Sequence, residues 1–194
     1  MSFYHKIKNY LSPTPLHIEE PFLWKYVDID SELVDEIKDI YLKKLKKNLQ
    51  DYEFFQILKI KIPNVGGQKV IGAGLAVSKG NYIQKYCHKD TIDTNASYYA
   101  LNIPLQNCET SETNLYNIKK NKSVLYSLYG RTMPGASMAE IAKVVECDVI
   151  ATYTLDRPLI FNTQIFHSVN NFSFETRLAI SLRFDNSVTP DTFN

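Results

Sequence analysis

The 194 residues, 44% of them apolar, suffice to close one good-sized core and are too few for two complete domains. Twenty-two basic side chains against twenty-one acidic ones leave a formal charge of +1, so no broad positive footprint exists for a nucleic-acid backbone and no nucleic-acid partner is expected. Three cysteines, Cys87, Cys108 and Cys147, are odd in number and lack metal-like spacing, which argues for a reducing compartment and against a disulfide framework.

From Met1 to Phe22 charges and prolines interrupt the chain where a signal peptide needs an apolar centre, and nowhere do eighteen apolar residues run together. Cytoplasmic residence without a membrane partner is the expectation, with an irregular N-terminal arm packing through Phe22, Leu23 and Trp24. A helix is predicted from about Ser31 to Leu49. Asp30 or Ser31 can cap it, Lys43, Lys44, Lys46 and Lys47 gather at its end, and Leu33, Val34, Ile37, Ile40, Tyr41 and Leu45 form an apolar stripe. With that stripe counted, the lysines are a solvated face rather than a nucleic-acid patch.

Beyond residue 51 the pattern reads as strands: Phe54 to Ile62, a turn at Asn64 to Gly67, Val70 to Val77, and Tyr82 to His88. The last of these places Tyr82, Gln84, Tyr86, His88 and Asp90 on one face, a polar face that suits the wall of a pocket. A loop from Lys89 to Ala96 follows, then Tyr98 to Leu105, with Tyr99, Leu101, Ile103 and Leu105 on the packed side and Tyr98, Ala100 and Asn102 toward the pocket. Thr113 to Ile118 is a shorter strand that puts Asn114 and Tyr116 on a common face. Ser123 to Arg131 is ambiguous and Met133 to Ser137 reads as a loop. Ile141 to Tyr153 is strand material broken near Asp148, with a short helix at Met138 to Val145 as the alternative. Asp156-Arg157-Pro158 turns the chain into an apolar run from Leu159 to Val169, and the tail from Asn186 is expected to be a surface extension.

The last strand carries most of the chemistry. From Arg177 the residues alternate, with Leu178, Ile180, Leu182 and Phe184 on one face and Ala179, Ser181 and Arg183 on the face of Arg177. A buried guanidinium is costly unless it meets an anion, so that face asks for a carboxylate or phosphate. His167 lies ten residues before Arg177, and His88 and Asp90, two apart, share a face of their own strand. Two imidazoles and one carboxylate bind Fe(II) on one octahedral face and leave the other positions open. Asp93 competes with Asp90 for the carboxylate role, but the parity of Asp90 with His88 does not depend on a loop path.

On these residues the chain resembles the 2-oxoglutarate and Fe(II)-dependent oxygenases, and the small single-domain, prolyl-hydroxylase-like members in particular. The resemblance covers roughly residues 70 to 184, including the piece from Tyr99 to Tyr116. It implies a double-stranded β-helix, or jelly roll, with flanking helices: one domain with an arm and helix over 1–50 and a jelly-roll core over 51–186. It also implies that His88, Asp90 and His167 ligate Fe(II), that Arg177 grips the far carboxylate of 2-oxoglutarate, and that Ser181, Tyr116 and Asn102 contribute to that cosubstrate site. The activity implied is a hydroxylase or desaturase that releases succinate and CO₂, since related halogenases carry a small residue where Asp90 stands. Its substrate is expected to be a small molecule or a peptide side chain, reached across the Tyr82 to Asp90 strand and a mobile Lys89 to Ala96 loop. The rival is a non-redox, cupin-like isomerase or small-molecule binding protein, with a structural adaptor that kept the triad incidentally as a third reading.

Overall fold

The computed structural model describes residues 22–84, 86–88, 90, 96–117, 141–143, 148–185 and 188–193. Two helices, α1 (Ser31–Lys47) and α2 (Asp51–Lys61), precede nearly all of the strands. Asp30 caps α1 by accepting from the Glu32 amide at 2.9 Å, and Asn48 closes it in the left-handed conformation. Ile37 and Ile40 are the buried centre of its stripe, whereas Leu45 is exposed and stands off it.

The region read as a strand over Phe54 to Ile62 is helical. Gln50 and Glu53 cap its start reciprocally, and Phe54, Leu58 and Ile62 are buried four residues apart while Ile60 is exposed. Alternation of apolar residues in FFQILKI imitates a strand only when that four-residue spacing is overlooked.

Among the described residues the strands are β1 (Trp24–Tyr26), β2 (Asn64–Val65), β3 (Gln68–Ser78), β4 (Tyr82–Ile83), β5 (Tyr86–His88), β6 (Ala96–Gln106), β7 (Ser111–Asn117), β8 (Ile141–Lys143), β9 (Asp148–Thr154), β10 (Leu159–Asn162), β11 (Phe166–Asn171) and β12 (Arg177–Asp185). They form two antiparallel sheets. The first runs β1-β10-β6-β12-β3-β2 and the second β8-β5-β11-β7-β9, with β4 also pairing β11. The N-terminal arm thus becomes a strand, pairing Trp24 with Phe161, and Phe22 packs edge-on against Tyr99. The alternative of a helix over Met138 to Val145 fails at Ile141–Lys143, which pair with β5. Ser123 to Arg131, Met133 to Ser137, Cys147, Asp93 and nearly all of the Lys89 to Ala96 loop lie outside the described residues.

Two expected strands are each divided. Tyr82 to His88 breaks at Gln84 into β4 and β5. The run from Leu159 to Val169 breaks at a tight turn, where Asn162 accepts from the Gln164 and Ile165 amides, so that β10 belongs to the first sheet and β11 to the second. An apolar run of this length cannot announce from composition that the chain changes sheets within it.

β12 is central, flanked by β3 and β6. Its Leu178, Ile180, Leu182 and Phe184 side chains are buried, the last three in a core shared with Leu101, Ile103, Ile37, Ile40, Phe54 and Leu58, so the helices cover that face of the first sheet. Ala179 joins Ala100, Leu159 and Phe161 from the same sheet, and Leu115 and Tyr153 from the other, in a second core between the sheets. The tail is not a surface extension: Val188 and Phe193 are buried, and Phe193 stacks on Phe184 at 5.2 Å. Glycine is required at position 80, where a Cβ would collide with the Phe174 backbone carbonyl. No helix among the described residues is long and apolar enough to cross a membrane.

Candidate metal centre

Antiparallel pairing brings His88 on β5 directly opposite His167 on β11. Paired residues share a face, and the two rings approach to 4.4 Å between centroids. Asp90 is fixed from below by the turn between β10 and β11: its amide donates to the Thr163 carbonyl at 3.1 Å, and the Gln164 side-chain amide donates to the Asp90 carbonyl at 3.0 Å. The same turn therefore aims His167 and anchors Asp90. Asp90 Oδ1 lies 3.6 Å from Nε2 of each histidine, and one ligand atom from each of the three residues falls within 4.8 Å of the others. At 3.6 Å these groups are too far apart to hydrogen-bond to one another. They converge on a common point instead.

The imidazoles are held from behind. His167 Nδ1 donates to the Ile165 carbonyl at 2.9 Å, which fixes the ring with Nε2 facing Asp90. Behind His88, the Gln84 side-chain nitrogen lies 3.3 Å from Nδ1, while Gln84 Oε1 accepts from the Val169 amide and the Gln84 amide donates to Asn170 Oδ1. Burial first, and then the charge of His167, push the His88 pKa down to about 4 against the opposing pull of Asp90, so this ring is neutral and ready to ligate at neutral pH. Burial of Asp90 favours its neutral form, but His167, Arg183 and His88 together outweigh that and hold the carboxyl below its usual range. Its second oxygen, Oδ2, accepts from Arg183 Nη2 at 2.5 Å.

Across the inter-sheet space lies a second group. Arg177 is 2% exposed, and its Nε donates to Ser111 Oγ at 2.9 Å, which in turn donates to the Cys108 carbonyl. No carboxylate among the described residues pairs with it, and its Nη1 is buried without a partner. Ser181 Oγ and Asn102 Oδ1 are likewise buried and unpartnered, and these two residues stand opposite each other on β12 and β6. Four such orphan atoms occur among the described residues, the fourth on Arg183, and all four belong to one face of β6 and β12. Native proteins leave few buried polar groups unpaired, so this face asks for a polar ligand. A guanidinium and a hydroxyl fit a carboxylate; Asn102 presents an acceptor there, and half a turn of its amide would present donors.

Tyr116 is not brought to this group. Its hydroxyl is 2.9 Å from Ser168 Oγ, and Ser168 alternates with His167 on β11, which puts that pair on the opposite face of the second sheet. Tyr153, not Tyr116, is the tyrosine that reaches Asn102. It is paired with Thr113 across β7 and β9, its hydroxyl interacts with the Thr113 and Asn102 side chains, and burial raises its pKa far enough to keep it a neutral phenol. Its parity with Ala151 was the available signal, but only the pairing of β9 with β7 turns that face inward. Arg183 was also assigned no role, although it shares the parity of Arg177 and Ser181.

No protein-family model matches the chain, and no curated protein matches it. The site stands on its own chemistry: a cluster of two imidazoles and a carboxylate able to hold a metal ion, and a buried guanidinium with no carboxylate partner among the described residues.

Proposed function

We propose that this chain is an Fe(II)- and 2-oxoglutarate-dependent oxygenase built on a double-stranded β-helix, oxidising a small molecule or a peptide side chain with succinate and CO₂ as co-products. One observation carries the reading: a facial set of metal ligands, His88, Asp90 and His167, shares its inter-sheet space with a buried Arg177 that has no counter-ion among the described residues. A non-redox jelly roll that merely held a metal has no use for such a guanidinium, which costs stability until an anion arrives.

In this reading His88, Asp90 and His167 hold the iron, with Ile165 and Gln84 fixing the rings. Arg177 and Ser181 hold the distal carboxylate of the keto-acid, and Asn102 lies beside them. When bound, iron and keto-acid together supply the oxidising chemistry, with O₂ as oxidant and 2-oxoglutarate as co-reductant. What the chain contributes is placement and dryness. Phe161 stacks edge-on against His167 at 5.3 Å, and Leu115, Ala179 and Phe161 line the inter-sheet core, so water is kept from the deep side of the site. Tyr153 stays protonated and offers an O–H donor where charge must be neutralised.

The test is iron-dependent conversion of 2-oxoglutarate to succinate, followed by NMR in air with ascorbate. Succinate should form with Fe(II) and not with Zn(II), and His167→Ala should abolish it. Metal binding through the triad without any succinate would favour the non-redox reading.

A further inference from the structure

Resting on the oxygenase reading, we propose that the open edge of β3 is the docking strand for the primary substrate, and that this substrate is an extended peptide with acidic residues toward its ends and a long side chain at its centre. The first observation is the edge itself. β12 pairs with one side of β3, while on the other side β2 reaches only Gln68 and Lys69. From Ile71 to Val77 no strand among the described residues pairs with that outer side, and the run IGAGLAV holds neither a charge nor a proline. Native edges are usually blunted by such residues, and an uncharged edge left open is a template for another strand.

The second observation is where that edge leads. Residues paired across antiparallel strands share a face, so Gly72, Gly74 and Ala76 lie on the inter-sheet face beside Arg183, Ser181 and Ala179. Ala179 is buried whereas Ala76 next to it is exposed, so the space between the sheets opens to solvent at β3. A Cβ at Gly74 would meet nothing within 4 Å, and one at Gly72 would only touch the Arg183 stem at 3.6 Å. Two bare rungs therefore lead inward from the edge. The Gly72 rung runs toward the triad, since Arg183 on it reaches Asp90, and the Gly74 rung ends at Ser181 Oγ and Asn102 Oδ1, both buried and unpartnered. Neighbouring strands stand about 4.8 Å apart, so an added strand would lie about 10 Å from β12. A long side chain crossing above a glycine covers most of that gap. A short one stops over β3.

The third observation decides what kind of strand fits. Lys69 and Lys79, both exposed, flank the edge. A second copy added antiparallel about Gly74 would set each Lys69 against a Lys79, a like-charge pairing that sheets disfavour. A peptide with acidic residues at those two places meets the same lysines favourably, which selects it over self-association.

The experiment is affinity selection from a library of N-acetylated, C-amidated nonapeptides, carried out on protein loaded anaerobically with Fe(II) and 2-oxoglutarate and on apoprotein. The library varies both ends among Glu, Gln and Lys, and the central residue among all types, in a Thr-Val background. Bound peptides should carry Glu ends and a long centre such as Leu, Lys or Arg. Methylating the backbone nitrogens of one parity in a selected peptide should weaken binding by about tenfold or more, the worth of one or two hydrogen bonds, while methylating the other parity changes little. Gly72→Val combined with Gly74→Val should remove the preference for a long centre and still bind a Gly-centred peptide, and Lys69→Glu with Lys79→Glu should reverse the end preference. No selected peptide, equal loss on methylating either parity, or preferences that survive these variants contradict the proposal. So does a dimer in light scattering that Ala76→Pro dissociates, which would give the edge to a second copy. Protein that takes up neither Fe(II) nor 2-oxoglutarate, yet selects peptides by end charge and methylation parity, contradicts the oxygenase reading and leaves β3 as a docking edge.

Discussion

Replacing Arg177 by methionine should make the metal-free protein more stable while destroying its affinity for 2-oxoglutarate. The side chain is 2% exposed and forms one hydrogen bond, to Ser111 Oγ, with no carboxylate partner among the described residues. Losing that bond costs about 1 kcal/mol, and Ser111 is not stranded because it keeps the Cys108 carbonyl. Removing the desolvated charge returns several kcal/mol, and methionine fills most of the same volume. The net gain should be about 2 kcal/mol, or roughly 4–8 °C in Tm for a chain of this size. Thermal unfolding of apoprotein reads the gain directly. Adding 2-oxoglutarate at a hundredfold over its Kd, with metal present, should then stabilise the wild type by about 2.7 kcal/mol and leave Arg177→Met unmoved. A variant destabilised by 2 kcal/mol or more would refute the reasoning, since it would mean that Arg177 props the fold and is already paired.

Two further outcomes can be checked on the apoprotein. His88 has a pKa near 4 in the fold against about 6.5 when unfolded, so between those values the unfolded chain binds the extra proton. Stability from this group is therefore complete above pH 6.5 and is lost as the pH falls toward 4, by about 2–3 kcal/mol after allowing for partial exposure; Asp90, held low, adds a loss at still lower pH. Urea midpoints from pH 7 to 4 should show the slope, and His88→Gln should flatten it; an unchanged slope contradicts the assignment. Gly80→Ala should cost about 3 kcal/mol, because the new methyl meets the Phe174 backbone oxygen rather than a side chain that can swing away, and chemical denaturation measures it.

Local pattern reached the site more easily than it reached the fold around it. His88 with Asp90, and Arg177 with Ser181, could be grouped because strand parity is a two-residue rule that needs no tertiary knowledge. Asn102 was placed on the pocket face for the same reason and stands opposite Ser181. The rule fails where geometry depends on partners far away in sequence. The pairing of Arg183 with Asp90 spans 93 residues, and Tyr153 faces inward only because β9 pairs with β7. Tyr116 had acceptable parity within its strand, yet β11 pairs Leu115 with His167 and Tyr116 with Phe166, so its hydroxyl goes to Ser168 on the other face. Helix α2 was missed because Phe55, Ile57 and Ile60 crowd the stripe that Phe54 and Leu58 define. The break between β10 and β11 was hidden because both halves are buried in different sheets.

In the function proposed, one inter-sheet space holds iron on the triad and 2-oxoglutarate on Arg177. Anaerobic titration of apoprotein with Fe(II), followed by 2-oxoglutarate, tests it most directly through the visible charge-transfer absorption of the chelated keto-acid. One Fe(II) per chain should bind, and the band should appear on adding 2-oxoglutarate; His167→Ala should take up no tightly held iron, and Arg177→Met should keep the iron while needing far more 2-oxoglutarate. Iron bound equally well by His167→Ala, or a wild-type complex that never develops the band, would contradict the account.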